Sequence, residues 1–118
     1  MRFPKSARLS RASEFERLRR EGRSFHGKFI VLSILKAAST SEARVGLITS
    51  RRVGGAVVRN RVRRRLREIV RAARPGLQDG LWLVLIARQQ AARATFAALE
   101  AEWQQLAKRS AIHAMPCS

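Results

Sequence analysis

The segment Arg59–Arg74 constrains the fold most, because it joins a helical apolar stripe to a very high density of one charge. The apolar side chains recur at helical spacing and cover an arc of about 120° at about 100° per residue. They are Val58, Val62, Leu66, Ile69, Val70 and Ala73. The spacing predicts one helix, starting near residue 56, that buries this stripe against the rest of the chain.

The other side of this predicted helix carries almost only positive charge. The segment 59–74 has eight arginines and one acid, Glu68. Like charges four residues apart repel by a few tenths of a kcal/mol per pair, roughly, so a solvated helix face normally mixes signs. The unmixed face indicates a polyanionic partner, and the planar guanidinium fork suits phosphate. Five side chains share an arc of about 100°: Asn60, Arg63, Arg64, Arg67 and Arg71.

Composition limits the class of protein. The chain has 118 residues, of which 46% are hydrophobic, which predicts one globular domain spanning 1–118. Its formal charge is +17, and ten arginines and one glutamate in 51–74 supply +9 of it. Nucleic acid is the expected partner, with an anionic membrane surface as the alternative. The longest apolar run, Leu81–Ala87, is too short to span a bilayer.

Cysteine usage and the N-terminus bear on the compartment. The single cysteine, Cys117, excludes an internal disulfide, and the first ten residues lack the apolar core of a secretory signal. Both observations favour a reducing compartment, and we expect the cytoplasm.

The patterns along the chain predict an α+β fold with the order α-β-β-α-β-α, in which helices pack on a small sheet as a two-layer sandwich. Both sides of the first strand are apolar, so we expect both of its faces to be covered, with the second strand antiparallel to it. The predicted helices are 11–21, 56–74 and 91–108, the strands 29–35, 44–50 and 81–87, with an extended arm at 1–9 and a disordered tail at 109–118. The apolar stripe of the last helix, which we expect to face the core, is Ala92, Phe96, Leu99, Trp103 and Leu106. Its spacing predicts that Trp103 belongs to the core and is not a platform for bases.

Residues for catalysis or metal binding are not evident. The eight acids are scattered, and neither His26 nor His113 has an orienting partner nearby in sequence. The sequence also lacks Cys/His metal spacing and a P-loop. We therefore expect a binding protein with no catalytic residue and no metal held by the protein alone.

The central stretch RVGLITSRRVGGAVVRNRVRRRLREIVR resembles the signature of the protein subunit of bacterial ribonuclease P. The shared features are a strand ending in Val45-Gly46-Leu47, a basic loop, and a helix bearing Arg59-Asn60-Arg61. The flanks agree at Arg8-Leu9, Phe15, Gly22 and Ala87-Arg88, so that the resemblance runs from about residue 3 to 108.

The resemblance implies a subunit of the endoribonuclease that matures the 5′ end of tRNA. Catalysis would belong to a catalytic RNA with Mg²⁺ bound through that RNA, and the partners would be this RNA, one per protein, and precursor tRNA, with no membrane. The RNA-binding residues would be Arg51, Arg52, Arg59, Asn60, Arg61, Arg63, Arg64, Arg67 and Arg71.

The resemblance also implies a cleft for the single-stranded 5′ leader of the substrate. It would lie between the arginine-rich helix and the sheet, and an aromatic side chain there would stack on leader bases. A left-handed crossover joining parallel strands through that helix is implied as well, against the usual handedness. The cleft residues would be Phe15, Val31, Ser33, Arg52, Asn60 and Arg64.

Two other functions fit part of the pattern. Another small RNA-binding protein, such as a ribosomal protein, would share the charge but not the Arg59-Asn60-Arg61 helix after a Val45-Gly46-Leu47 strand. A cationic membrane-active protein would need one amphipathic helix rather than apolar strands at 29–35 and 81–87. Binding to structured RNA in preference to anionic vesicles at matched salt would distinguish them.

Overall fold

A mixed four-stranded sheet forms the centre of the molecule, in the strand order β1-β2-β4-β3. The structure is a computed structural model and describes residues 12–36, 43–77 and 79–110. Short 3-10 turns occupy Arg51–Val53, Arg74–Gly76 and Gln89–Arg93. The main elements are α1 (Ala12–Glu21), β1 (Arg23–His26), β2 (Ile30–Lys36), β3 (Arg44–Thr49), α2 (Ala56–Ala73), β4 (Leu81–Ala87) and α3 (Phe96–Ser110).

Strand β4 lies in the middle of the sheet and pairs with both β2 and β3. The β2–β4 pair is antiparallel, with Leu32 opposite Leu85, and the β3–β4 pair is parallel, with Val45 opposite Leu83. Strands β2 and β3 therefore run in opposite directions, as predicted, but β4 separates them. Helix α2 connects the parallel strands β3 and β4. The left-handed sense of this connection stays a prediction.

One face of the sheet packs against α2 and α3 and forms the main core. Leu32 and Leu85 on the sheet, Leu66 on α2 and Leu99 on α3 are all fully buried. Trp103 is 1% exposed, which confirms that it belongs to the core and is not a platform for bases.

Helix α3 begins later than predicted. The hydroxyl of Thr95 accepts a hydrogen bond from the backbone N–H of Ala98 at 3.1 Å, so Thr95 caps the N-terminus of α3. Ala94 is extended (ψ 141°) and separates α3 from the preceding 3-10 turn. Phe96, which we predicted to face the core, is 40% exposed as a consequence.

The second face of the sheet carries α1, so both faces of β2 are covered, as predicted. Leu18 of α1 and Val84 of β4 form the centre of this smaller cluster, and Phe15 and Trp82 pack beside them. The carboxylate of Glu14 is buried and pairs with Arg44 of β3, which fixes α1 to the edge of the sheet.

The predicted α+β class is confirmed: three helices pack on a mixed sheet, and the six predicted elements follow in the predicted order. The helices cover both faces of the sheet, so the fold has three layers instead of the predicted two. Strand β1 is additional; three of its four residues are exposed, Phe25 is half-buried, and the strand has no apolar alternation that would reveal it. The predicted tail at 109–118 is wrong for its first two residues, because α3 continues to Ser110, whose hydroxyl donates to the carbonyl of Leu106 at 2.8 Å. The arm at 1–9 and the rest of that tail lie outside the described residues.

Candidate nucleic-acid interface

The orientation of α2 follows from its apolar stripe. Val62, Leu66, Ile69 and Val70 are at most 3% exposed and pack against the sheet and α3. The helical period turns the opposite side of α2 towards solvent. We call that side the outer row of α2, and its members are Asn60, Arg63, Arg64, Arg67 and Arg71. Asn60 and Arg64 are exposed, and the other three side chains are half-buried.

Two arginines of the outer row have partners within the protein. Arg63 donates to the hydroxyl of Thr49, at the end of β3, at 2.7 Å. Arg71 pairs with Glu68 at 2.8 Å. The hydrogen bond from Arg71, reinforced by its charge, lowers the pKa of the Glu68 carboxyl, so Glu68 stays ionised and offsets Arg71 at neutral pH. The remaining guanidiniums of the row, Arg64 and Arg67, have no acid within salt-bridge distance among the described residues.

Two further arginines of α2, outside the outer row, donate hydrogen bonds to backbone carbonyls. Arg61 donates to the carbonyl of Ala92 at 3.0 Å, and Arg65 donates to the carbonyl of Ala94 at 2.7 Å. Both carbonyls belong to the segment that joins β4 to α3. Arg61, predicted to contact RNA, thus helps to hold this connection on α2, and its role towards RNA stays a prediction.

We expect Arg61→Gln combined with Arg65→Gln to destabilise the fold more than it weakens RNA binding. Loss of two partly exposed hydrogen bonds from charged groups should lower the free energy of unfolding by about 1–2 kcal/mol, measurable by urea titration. The slope of log affinity against log salt should change by less than one unit, roughly, for an RNA ligand. A slope lowered by about two units at unchanged stability would instead make both arginines phosphate contacts.

A second group of cations gathers at one end of the sheet. Arg51 and Arg52 follow β3 after Ser50, Arg88 follows β4, and all three are exposed. Because β3 and β4 are parallel neighbours, their carboxyl ends lie at the same end of the sheet. Arg88 also donates to the carbonyl of Gly27 at 2.8 Å.

The N-terminus of α2, at Ala56, follows Arg52 after Val53 and two glycines. Gly54 there has φ +149°, and a Cβ would also lie 3.0 Å from that of Val58, so this position requires glycine. Arg59, one turn into α2, is half-buried, and its Nε is buried without an acceptor among the described residues. Arg51, Arg52 and Arg59 are therefore brought to the same end of the molecule.

The residues predicted for the leader cleft divide between the two faces of the sheet. Phe15, Val31 and Ser33 are half-buried on the face that carries α1. Asn60 and Arg64 project from α2, which packs on the opposite face.

The space between α2 and the sheet, where the leader cleft was predicted, is filled by the core, so that position is wrong, and leader binding itself stays a prediction. Buried side chains, Leu66 and Val70 of α2 and Leu85 of β4 among them, fill that space. The physical reason is the alternation along β2: Ile30 and Leu32 point to the face that carries α2 and α3, so Val31 and Ser33 point to the other face.

Two side chains beside Val31 were not singled out from the sequence. The register places Ile86 opposite Val31 and Ile48 opposite Ile86, and all three are half-buried on the face of α1. With Phe15 they form a partly exposed apolar surface, which we call the α1-side row. Alternation within each strand could have indicated their face, but only the pairing register brings them together. The hydroxyl of Ser33 lies 3.0 Å from that of Ser24 on β1.

The described parts of the chain hold neither a potential metal site nor a membrane-spanning helix. No three His, Cys, Asp or Glu side chains come together there as a potential metal site. None of the helices in the described residues has both the length and the apolar character needed to cross a bilayer.

Comparison with known proteins agrees with the arrangement of these elements. The family model for ribonuclease P matches residues 3–111. The ribonuclease P protein component of Symbiobacterium thermophilum is 37% identical over 108 residues, covering 92% of this chain and 94% of that protein. The one from Acidothermus cellulolyticus is 41% identical over 112 residues, covering 91% and 90%.

Solved structures show the same fold. The RNase P protein of Staphylococcus aureus superimposes with a TM-score of 0.86 at 23% identity, covering 93% of this chain and 100% of that one. The RNase P protein of Thermotoga maritima has a TM-score of 0.75 at 27% identity, covering 86% and 96%. The resemblance seen in the sequence is confirmed, and the chain belongs to the family of ribonuclease P protein components.

Proposed function

We propose that this chain binds the catalytic RNA of ribonuclease P through the outer row of α2 and binds the 5′ leader of precursor tRNA on the other face of the sheet. Membership of the family makes the chain a tRNA-processing subunit with an RNA partner. The observation that carries the proposal is the position of the outer row: it is turned away from the core by the buried stripe, and the acids near it neutralise little of its charge.

The two RNA surfaces differ in chemistry. The outer row offers guanidiniums with in-plane N–H groups, which suit the phosphates of a folded RNA. The α1-side row is apolar, with the aromatic ring of Phe15 beside Val31 and Ile86, which suits the bases of an unpaired strand. Arg52 and Arg88 lie at the same end of the sheet as Val31 and Ile86 and would receive leader phosphates.

In this proposal the RNA subunit and its Mg²⁺ perform the cleavage. The protein raises the affinity for substrate by holding two phosphate backbones together that would otherwise repel each other. One protein binds one RNA, and we place the complex in the cytoplasm. None of the protein's side chains is assigned a proton transfer or a metal.

Reconstitution tests this proposal. The purified protein is mixed with a bacterial ribonuclease P RNA at low Mg²⁺, and 5′ cleavage of a precursor tRNA is followed on a gel. We expect cleavage that needs both components and is absent with protein alone. Tight binding of the RNA without any stimulation of cleavage would instead indicate a general RNA-binding protein.

Phe15→Ala should weaken recognition of the leader selectively. Base stacking on an aromatic ring is worth about 1–3 kcal/mol, so the preference of the complex for leader-bearing over leaderless substrate should fall about tenfold. The affinity for the RNA subunit should stay within about twofold, because Phe15 lies on the face opposite α2. Binding of both substrates by the reconstituted complex is the measurement.

Phe96→Ala supplies the matched control, since Phe96 is an exposed phenylalanine on α3. An equal effect of both replacements would contradict the leader site, as would a loss of RNA-subunit affinity with Phe15→Ala. Circular dichroism should show that Phe15→Ala is folded, because Phe15 also packs beside Leu18 and Val84.

A further inference from the structure

We propose a second contact surface for the RNA subunit at the β1 edge of the sheet. It would take phosphates of a folded RNA segment other than the one on α2. The proposal rests on the proposed function, in which the RNA of ribonuclease P is the partner, and it adds a second contact site for that RNA. We call it the β1-edge patch, and it consists of Arg23, Phe25, Lys28, Lys108 and Arg109.

Three of the four cations lie over aromatic rings, and the fourth, Lys108, precedes Arg109 in α3. The guanidinium of Arg23 lies over the ring of Phe25, 5.4 Å from its centroid, and that of Arg109 lies 5.9 Å from the same centroid. Lys28 lies over Phe29 at 5.4 Å. Stacking on a ring orients a guanidinium and leaves its in-plane N–H groups free for phosphate oxygens.

The charge of this patch is not offset within the protein. In the parts of the chain that the structure describes, no carboxylate lies within salt-bridge distance of any of its four cations. Glu102 of α3 contacts the same hairpin, but its oxygens accept the backbone N–H groups of Lys28, Phe29 and Ile30 at 2.6, 2.8 and 2.8 Å. That carboxylate is therefore held by the backbone and does not pair with the side chains of the patch.

The position of the patch makes it a separate contact. β1 and β3 are the two outer strands of the sheet. Arg109 lies over Phe25 of β1, whereas Arg63 of the outer row donates to Thr49 of β3, so the patch and the outer row lie towards opposite edges. Three strand spacings separate these edges by about 14 Å. A protein with principal extents of 39 × 33 × 28 Å thus presents phosphate-binding groups on two sides, and two segments of one folded RNA could contact it together.

Salt titration of RNA binding tests the patch. Arg23→Gln combined with Arg109→Gln removes two phosphate contacts in this proposal. The slope of log affinity against log salt for the RNA subunit alone should fall by about 1.8, and the affinity at 0.1 M salt should fall about 60-fold. Lys108→Gln, a single replacement that leaves the Phe25 contacts intact, should lower the slope by about 0.9.

The control removes the same charge elsewhere. Arg19→Gln combined with Arg20→Gln affects two exposed arginines of α1 that pair with Glu16 and Glu21. We expect a slope change below about 0.5 for this control. Equal effects of patch and control variants would show a response to net charge alone and would overturn the proposal.

Two further outcomes would also overturn it. Unchanged RNA affinity together with self-association of the patch variant on gel filtration would mean that the charges only protect an edge strand from pairing. The RNA affinity could also stay unchanged in both the double variant and Lys108→Gln while replacements in the outer row of α2 weaken binding. In that case the patch would not be a contact site, and the proposed function would stand. If the outer-row replacements had no effect either, the proposed function itself would fail.

Discussion

Replacing Arg63, Arg64 and Arg67 by glutamine is expected to weaken binding of the ribonuclease P RNA by about 500-fold at 0.1 M salt. Each arginine that neutralises a phosphate contributes about 0.9 to the slope of log affinity against log salt, so the slope should fall by about 2.7. All three belong to the outer row of α2, on the side opposite the buried stripe. Filter binding over a range of KCl concentrations measures both quantities.

The same helix supplies the control for this experiment. Arg61→Gln combined with Arg65→Gln removes arginines from α2 that donate to the carbonyls of Ala92 and Ala94. If that pair lowers the salt slope as much per residue as the outer-row replacements do, the division of α2 into an RNA side and a structural side is wrong. Arg63 also donates to Thr49, so Thr49→Val shows whether that hydrogen bond contributes to the effect.

Glu102→Ala is expected to have the largest effect on stability, lowering the free energy of unfolding by about 2–3 kcal/mol. Its carboxylate accepts three backbone N–H groups of the β1–β2 turn, and two of these bonds are partly buried. Without the carboxylate the donors of Phe29 and Ile30 lose their acceptor next to the core. Urea titration followed by tryptophan fluorescence measures the change, since Trp103 directly follows Glu102 in α3 and is buried.

Glu100→Ala is the matched control, because Glu100 is an exposed acid on the same helix. Its replacement should change stability by less than about 0.5 kcal/mol. Glu102→Gln keeps one acceptor oxygen and should give an intermediate loss. Similar losses for the alanine variants of Glu100 and Glu102 would mean that the three hydrogen bonds add nothing to stability.

The sequence by itself determined the elements whose patterns are local. Helix α2 begins at Ala56 and buries its predicted stripe, and β4 occupies Leu81–Ala87 as predicted. In both cases the periodicity lies within one continuous stretch and is strong enough to outweigh other conformations. For α3, Trp103 was correctly predicted as a core side chain. The predicted start of α3 was wrong, because the helix begins after the N-cap Thr95.

The sequence also indicated which arginines share a side of α2, but not what each of them contacts. The helical period separates Arg61 and Arg65 from Arg64 and Arg67. Only the packing of the segment between β4 and α3 beside α2 provides the carbonyls that bind Arg61 and Arg65. Residues about thirty positions away in the chain cannot be assigned as partners from a local pattern.

The tertiary structure alone decided how the sheet arranges the candidate sites. The order β1-β2-β4-β3 places Val31, Ile86 and Ile48 in one row and puts α1 and α2 on opposite faces. The contact of Glu102 with residues 28–30 spans more than seventy positions of the chain. Strand alternation fixes which side chains share a face of their own strand, whereas strand order and register depend on the packing of the whole core. The face proposed to bind the leader therefore could not be located from the sequence, although Phe15 and Val31 of the α1-side row were named from it.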